Sequence, residues 1–469
     1  MTDKSGAAHL PAKFIDGSIM RHIWVMTSTA SIGLVGIFLV DLIDMLFLSM
    51  LGSDDIIAGV GFASSISFFT ISLSIGITIS MAALVSRMIG QRNVEQAKRY
   101  VVNVAVLALT LTSTMACIIW FNLPFLFRLL GADEGALAVG VSYLQIILPS
   151  LPILATGMAM SAALRAVGDA RLSMLTTLIG GGVNAVLDPI FIFALSMGVE
   201  GAAIASVMAR FVVLGIAFWG VTRKHNLMKA FVYNDFVEDF KPIFKVAGPA
   251  MLTNLATPIG NAIVIKMVAQ FGAAYVAGFA IVGRISPVAF ALVFALSGAI
   301  APIIGQNFGA LNFARIRETL SNALIFNAVY VTLVSVLLYI LQEPIITLFK
   351  LEGEAAELVR IFCTWIAITF IFNGAQFVSN SAFNNLGKPM YATWFNVGRS
   401  TVGTLPFVYL GGEIAGAAGV LAGQAVGGMI FALAGVAIAF RHISNLTKNN
   451  NTAIPAEHRH SREGGNPAL

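Results

Sequence analysis

Charge is what this sequence has least of. Asp, Glu, Lys and Arg make up 11% of 469 residues, against ~25% in a soluble globular domain. So few charged groups cannot coat a water-facing surface, which excludes an ordinary soluble fold. Cysteine is nearly absent: Cys117 and Cys363 both sit in apolar runs, which excludes a disulfide framework or a thiolate metal site. His9, His22, His225, His442, His458 and His460 lie in tails, in loops or at the edge of a run, which excludes an imidazole metal centre within the apolar segments. No GxxxxGK[ST] stretch occurs, so a pump driven through such a nucleotide site is excluded too.

What the chain does have is apolar surface. Hydrophobic residues reach 58% and mean hydropathy is +0.86. Twelve runs long enough to span a bilayer as helices are expected at 23–51, 56–86, 100–122, 136–160, 172–195 and 201–222, then at 246–270, 275–304, 319–341, 355–382, 391–410 and 415–440. The first is too long for a signal-peptide core and is expected to be retained. The expected organisation is a cytoplasmic segment 1–22, a six-helix lobe 23–222, a cytoplasmic linker 223–245, a second lobe 246–440 and a disordered tail 441–469.

Basic residues recur in alternate loops. Arg87, Arg92, Lys98 and Arg99 follow the second run, Arg165 and Arg171 the fourth, and Arg223, Lys224, Lys229, Lys241 and Lys245 the sixth. The opposite loops carry Asp54, Asp55, Asp133, Glu134, Glu200, Glu343, Glu352, Glu354 and Glu413, with only Arg128 and Lys350 against them. Both termini are therefore expected in the cytoplasm. The same asymmetry accounts for the net charge of +5 without a nucleic-acid partner.

The two halves repeat. RAVGDARLSM at 165–174 aligns with NNLGKPMYAT at 384–393, and SRMIGQRNVEQAKR aligns with IGQNFGALNFARIR, pairing Gly168 with Gly387 and Gly90 with Gly309 at one offset of 219 residues. An even number of spans per unit keeps both halves in the same orientation. The expected fold class is thus an all-α integral membrane protein of twelve transmembrane helices, in two six-helix lobes related by a pseudo-twofold axis along the membrane normal. A cavity between the lobes is the plan of a secondary transporter.

Within this apolar frame GGVNAVLDPIFIF, residues 181–193, carries Asn184 and Asp188. A carboxylate at bilayer depth costs ~2.5–3.5 kcal/mol or more, so a proton, a cation or a basic partner must neutralise it. Asp44 and Asp188 each lie about seven residues, or ~10 Å, before the outer end of their runs and share a depth. Asn184 lies one turn from Asp188 on the same face, and Pro189 frees a backbone carbonyl beside them. Asp41 falls on the inward stripe of the first run. Two readings stay open: a coupling site for a cation, or an Asp188–Arg210 pair that only fixes packing. The second half has no embedded Asp or Glu but holds Lys266, near an outer end and expected to snorkel, and the deeper Arg284. The second run is rich in Ser and Thr (Ser64, Ser65, Ser67, Thr70, Ser72, Ser74, Thr78 and Ser80), suited either to lining the cavity or to close packing.

VDLIDMLFLSMLG (40–52), LRAVGDARLSM (164–174) and NAVLDPIFIFALSMGVEGAAIAS (184–206), with LGKPM in the second half, resemble the multidrug and toxic compound extrusion (MATE) family, most nearly its DinF-like branch. The resemblance covers the chain up to its tail. It implies a monomeric exporter in the inner membrane of a prokaryote. Such a protein carries no cofactor and exchanges Na+ or H+ for small amphipathic, often cationic, molecules. Carried over by position, Asp44, Asn184 and Asp188 match the branch's cation site, Tyr143 matches a nearby hydrogen-bonding tyrosine, and Ser206 stands where Thr is usual. Asp41 stands where the family has Asn, which leaves the coupling ion open. Oxygen ligands from Asp44, Asn184, Asp188 and Ser206 suit Na+, and crowded carboxylates also suit protons. Other readings are a flippase for lipid-linked sugars or lipids, an exporter of an anionic metabolite recognised through Arg284, and a channel. The loop signature of a major facilitator is absent from RMIGQRNVEQAKR.

Overall fold

A computed structural model describes residues 11–453; His9, His458, His460 and the end of the expected tail lie outside them. The first lobe comprises α1 (Ile19–Ser49), α2 (Asp54–Gly90), α3 (Val94–Phe121), α4 (Glu134–Ala166), α5 (Ala170–Ala194) and α6 (Gly198–Lys224). The second comprises α7 (Tyr233–Ala269), α8 in two limbs (Ala273–Ala289 and Ala291–Gly309), α9 (Phe313–Leu348), α10 (Gly353–Asn385), α11 (Pro389–Ser400, continued by residues 405–414) and α12 (residues 417–453). Twelve apolar passes thus stand among the described residues.

Three boundaries differ from expectation. Helix α7 starts at Tyr233, inside the stretch read as linker, because YNDFVEDFKPIF carries an apolar stripe that packs Phe236 and Ile243 on the first lobe. Helix α12 continues to Ala453 through residues read as tail, anchored by the buried Ile443. The eighth pass is two helices, because Phe290 leaves helical geometry between its limbs.

The repeat extends into the backbone itself. Arg92 and Leu311 both turn into the left-handed region (φ 59° and 58°), as do Gly168 and Gly387 (80° and 77°). Asn93 and Asn312 cap α3 and α9, each accepting from the amide three residues on. A 3₁₀ turn breaks α4 at Leu148–Ser150 and α10 at Ala367–Thr369, again 219 residues apart.

The lobes meet at the basic end. A Cβ added at Gly90 would collide with the Gln306 carbonyl oxygen, and one at Gly309 with that of Arg87, so two pseudo-equivalent glycines lie against each other on the seam. The N-terminal strap plugs this seam: the Phe14 amide donates to Gln306 Oε1 (2.9 Å), Asn307 Nδ2 donates to the Phe14 carbonyl (3.0 Å), and Gln306 Nε2 donates to the Ala166 carbonyl (2.8 Å). Arg99 on α3 binds Asp239, Glu238 and Asp235 on α7. Every hydrogen bond between side chains of the two lobes, among the described residues, lies at this end.

Helices α1 and α7 exchange sides there. Ile19, Ile23 and Met26 of α1 join the core built by α8, α9 and α10, whereas Ile243, Ala247 and Met251 of α7 join the core of α2, α3 and α4. Toward the other end Asp41, Ser64, Ser65, Lys266 and Arg284 are exposed, while Ser72, Ser74, Thr78 and Ser80 of α2's inner half are buried. Lipid is a poor environment for the exposed charges of Asp41, Arg284 and Lys266.

Asp169 caps α5, accepting from the Leu172 amide and binding Lys224 (2.7 Å) and His225 (2.8 Å). The His225 bond foremost, then Lys224, holds its carboxyl below the usual carboxylate range against the opposing effect of burial. A depressed carboxyl stabilises the fold above about pH 4 and loses that contribution as pH falls through its lower native value. Thermal unfolding in detergent should therefore show Asp169→Asn less stable than the parent near neutrality, the gap closing in acid. A pH-independent gap would refute the linkage. Gly90→Val should overpack the seam and cost about 1–3 kcal/mol, whereas Gly61→Ala, with nothing within 4 Å of its added Cβ, should leave the unfolding temperature unchanged.

Candidate cation site

Small residues bring the two carboxylates together. Gly33 and Gly36 on α1 and Gly181 on α5 let these helices approach until an added Cβ would touch Thr177, Leu178 or Val40 across the seam. Nearer the outer end, the Phe47 and Phe193 rings meet edge to face at 5.9 Å. Between these contacts, Asp44 on α1 lies within electrostatic range of Asp188 on α5. Pro189 withholds its backbone donor from the Ala185 carbonyl, and Ile190–Ala194 widen into a π-turn, a feature frequent where helices serve a site.

Asp188 is completely buried and Asn184 is 8% exposed. Asn184 Nδ2 donates to Asp188 Oδ2 at 2.5 Å, and Ser206 Oγ on α6 donates to Asn184 Oδ1 at 3.2 Å. This chain fixes the amide's orientation. It satisfies one oxygen of Asp188 and leaves Oδ1 buried without a partner among the described residues; Asp44 Oδ1 is in the same condition. Two unpartnered carboxylate oxygens on neighbouring helices are hard, anionic donors. They can accept a proton or a small cation such as Na+. No group of three or more His, Cys, Asp or Glu side chains suited to a metal ion forms among the described residues.

Tyr143 on α4 is buried, within electrostatic range of Asp44 first, then Arg210 and Asp188. Arg210 does not pair with Asp188, which overturns that reading. Its Nη1 donates to the Ile147 carbonyl (3.2 Å) and to Ser150 Oγ (2.8 Å), both at the 3₁₀ break in α4. Asp188 thus lacks a basic neutraliser within the described residues. Asp41 is exposed, one turn from Asp44, and makes no side-chain hydrogen bond among the described residues. On α2 the outer Ser64 and Ser65 are exposed, while the buried Ser72, Ser74 and Thr78 bond to their own helix's carbonyls.

The second lobe lacks these carboxylates. At the repeat offset Asp44, Asn184 and Asp188 correspond to Ile263, Gly403 and Phe407. Instead α11 presents Arg399, half-buried and donating to Asn373 Oδ1 on α10. Sequence reasoning missed Arg399, although a basic residue inside the run 391–410 was signal enough. Arg284 and Lys266 are exposed, without ion pairs among the described residues.

Comparison with known proteins agrees with this architecture. The model of the MatE family matches residues 30–190 and 249–410, one stretch in each lobe, beginning 219 residues apart. The chain is 27% identical to a protein of Shewanella oneidensis described as an FAD transporter, over 92% of this chain and 96% of that one. It is 22% identical to the multidrug export protein MepA of Staphylococcus haemolyticus, over 95% and 98%. Among solved structures, the Vibrio cholerae MATE transporter VcmN in its bent form superposes with a TM-score of 0.86 at 26% identity, covering 91% of this chain and 98% of that one.

If the Asp44–Asp188 cluster couples an ion to transport, Asp188→Asn and Asp44→Asn should each reduce gradient-driven transport in liposomes to the level of protein-free vesicles, with unfolding temperature maintained. Asp41→Asn should keep most of it. Arg210→Gln should act on stability instead, at about 1.5–3 kcal/mol for the charge-assisted hydrogen bonds it removes. Driven transport that survives both Asp substitutions would reduce the cluster to helix packing.

Proposed function

The chain belongs to the MatE family of multidrug and toxic compound extrusion transporters, and from the carboxylates in its first lobe we propose that it is a secondary antiporter exchanging Na+ or H+ for small amphipathic organic compounds. The observation that carries this reading is the pair of buried, unpartnered oxygens on Asp44 and Asp188. Charge bias supports a cytoplasmic basic end, and the bacterial relatives support the inner membrane of a prokaryote. In this reading the basic end is closed in the outward-facing state, in which external cations would reach the site from the acidic side.

Neutralising Asp188 and Asp44 removes the cost of keeping them in low dielectric, so ion binding favours a repacked arrangement of α1 against α5. Organic compound and ion bind antagonistically when each prefers a different arrangement, and linkage makes that antagonism reciprocal, which is what exchange requires. Ser206 holds the Asn184 amide in place, and Arg210 binds the break in α4 behind it.

One observation favours a second reading of the cargo. Arg284, Lys266 and Arg399 supply positive charge to a lobe without embedded carboxylates, a polarity that suits an anionic organic compound, and the Shewanella oneidensis relative is described as an FAD transporter. Purified protein in liposomes, given an inward Na+ or an inward H+ gradient separately, distinguishes the cargoes. Efflux of a lipophilic cationic dye driven by one gradient supports drug antiport and names the ion. Efflux of a flavin nucleotide, abolished by Arg284→Gln, supports the anionic cargo. No movement of either under either gradient would overturn antiport.

A further inference from the structure

Away from the carboxylates, a cleft of about 510 Å³ opens at the basic end, between α2 and α3 of the first lobe and α7 with the α10–α11 turn of the second. Arg87, Lys241 and Lys245 line it, and no Asp or Glu does. None of the three makes an ion pair or donates a side-chain hydrogen bond among the described residues. Arg87 lies over the Phe308 ring at 4.7 Å, with its Nε buried and unpartnered. The nearby acids do not serve them: Asp235, Glu238 and Asp239 are all held by Arg99.

A break in the repeat adds to this. In the first lobe Asp169 caps α5 and is itself bound by Lys224 and His225. The equivalent cap of α11 is Lys388, with no side-chain bond to the helix, and the first turn at Pro389 borders the cleft. The anion that the first lobe supplies from its own chain is missing at the matching point of the second. The cleft floor is apolar, from Leu84, Met88, Pro242 and Val246, and it lies at the ends of membrane-spanning helices, where basic pockets meet lipid headgroups.

We propose that this cleft binds the phosphate of an anionic phospholipid, with an acyl chain on the apolar floor, and that the bound lipid bridges the lobes and holds the basic end shut. Arg87 and the two lysines receive the phosphate. Because both lobes contribute, the lipid binds the closed arrangement better and shifts the population toward it.

The test is thermal unfolding of the full chain in neutral detergent, titrated with phosphatidylglycerol, phosphatidylcholine or inorganic phosphate. Phosphatidylglycerol should raise the unfolding temperature saturably and phosphatidylcholine should not. Lys241→Gln combined with Lys245→Gln should weaken the phosphatidylglycerol effect about thirtyfold while leaving the lipid-free unfolding temperature unchanged. Spin labels at the exposed Glu95 and Glu318 should report a shift toward shorter distances when phosphatidylglycerol is added. An equal effect of both lipids, or an undiminished effect in the double variant, would overturn the site. Inorganic phosphate reproducing the full effect would overturn its assignment to lipid, and unchanged label distances would overturn the bridging role.

Discussion

The rest of the structure depends on the contact of Gly90 and Gly309 across the seam between the lobes. Backbone touches backbone there, since neither residue has room for a methyl group. Two helix ends that close clamp the lobes together at the basic end. That closeness also forms a socket in which Gln306 and Asn307 hold the strap at Phe14. A wider residue at either glycine would loosen the strap and the Arg99 network together, because all of them rest on one separation.

Against this near-symmetric frame the chemistry is asymmetric. The lobes share turn geometry, caps and even the 3₁₀ breaks of α4 and α10, yet only the first buries carboxylates. Where it has Asp188 the second has Phe407, and where the second has Arg399 the first has Gly180, which opens a run of three glycines and carries no charge. Backbone architecture tolerates such divergence because helix packing constrains the small residues at the seams. The side chains that face the space between the lobes are free to differ.

Much of this was legible in the sequence, and the failures have physical causes. Hydropathy gave the twelve passes because lipid requires long apolar runs, and the repeat gave the two lobes because its glycines mark turns and seams. Asp44, Asn184 and Asp188 were legible because a carboxylate in an apolar run demands an explanation. The early start of α7 and the extension of α12 were not, since hydropathy registers what lipid solvates and overlooks amphipathic helix beyond it. Arg210 was misread because its partners are backbone and hydroxyl oxygens at a break in α4 that composition does not reveal. The exchange of α1 and α7 between cores left no trace in the sequence, because an apolar stripe shows that a helix face is buried without showing which lobe buries it.

That exchange bears on how the molecule is made. Helix α1 is synthesised well before the second lobe, yet Ile19, Ile23 and Met26 pack on α8, α9 and α10, and the Phe14 amide finds Gln306, 292 residues away along the chain. A nascent first lobe therefore has an unfilled face for as long as the second is unmade, and its opening helix must wait in lipid. The halves that look like separable duplicates are obligate partners, and neither completes its core until the other has entered the membrane.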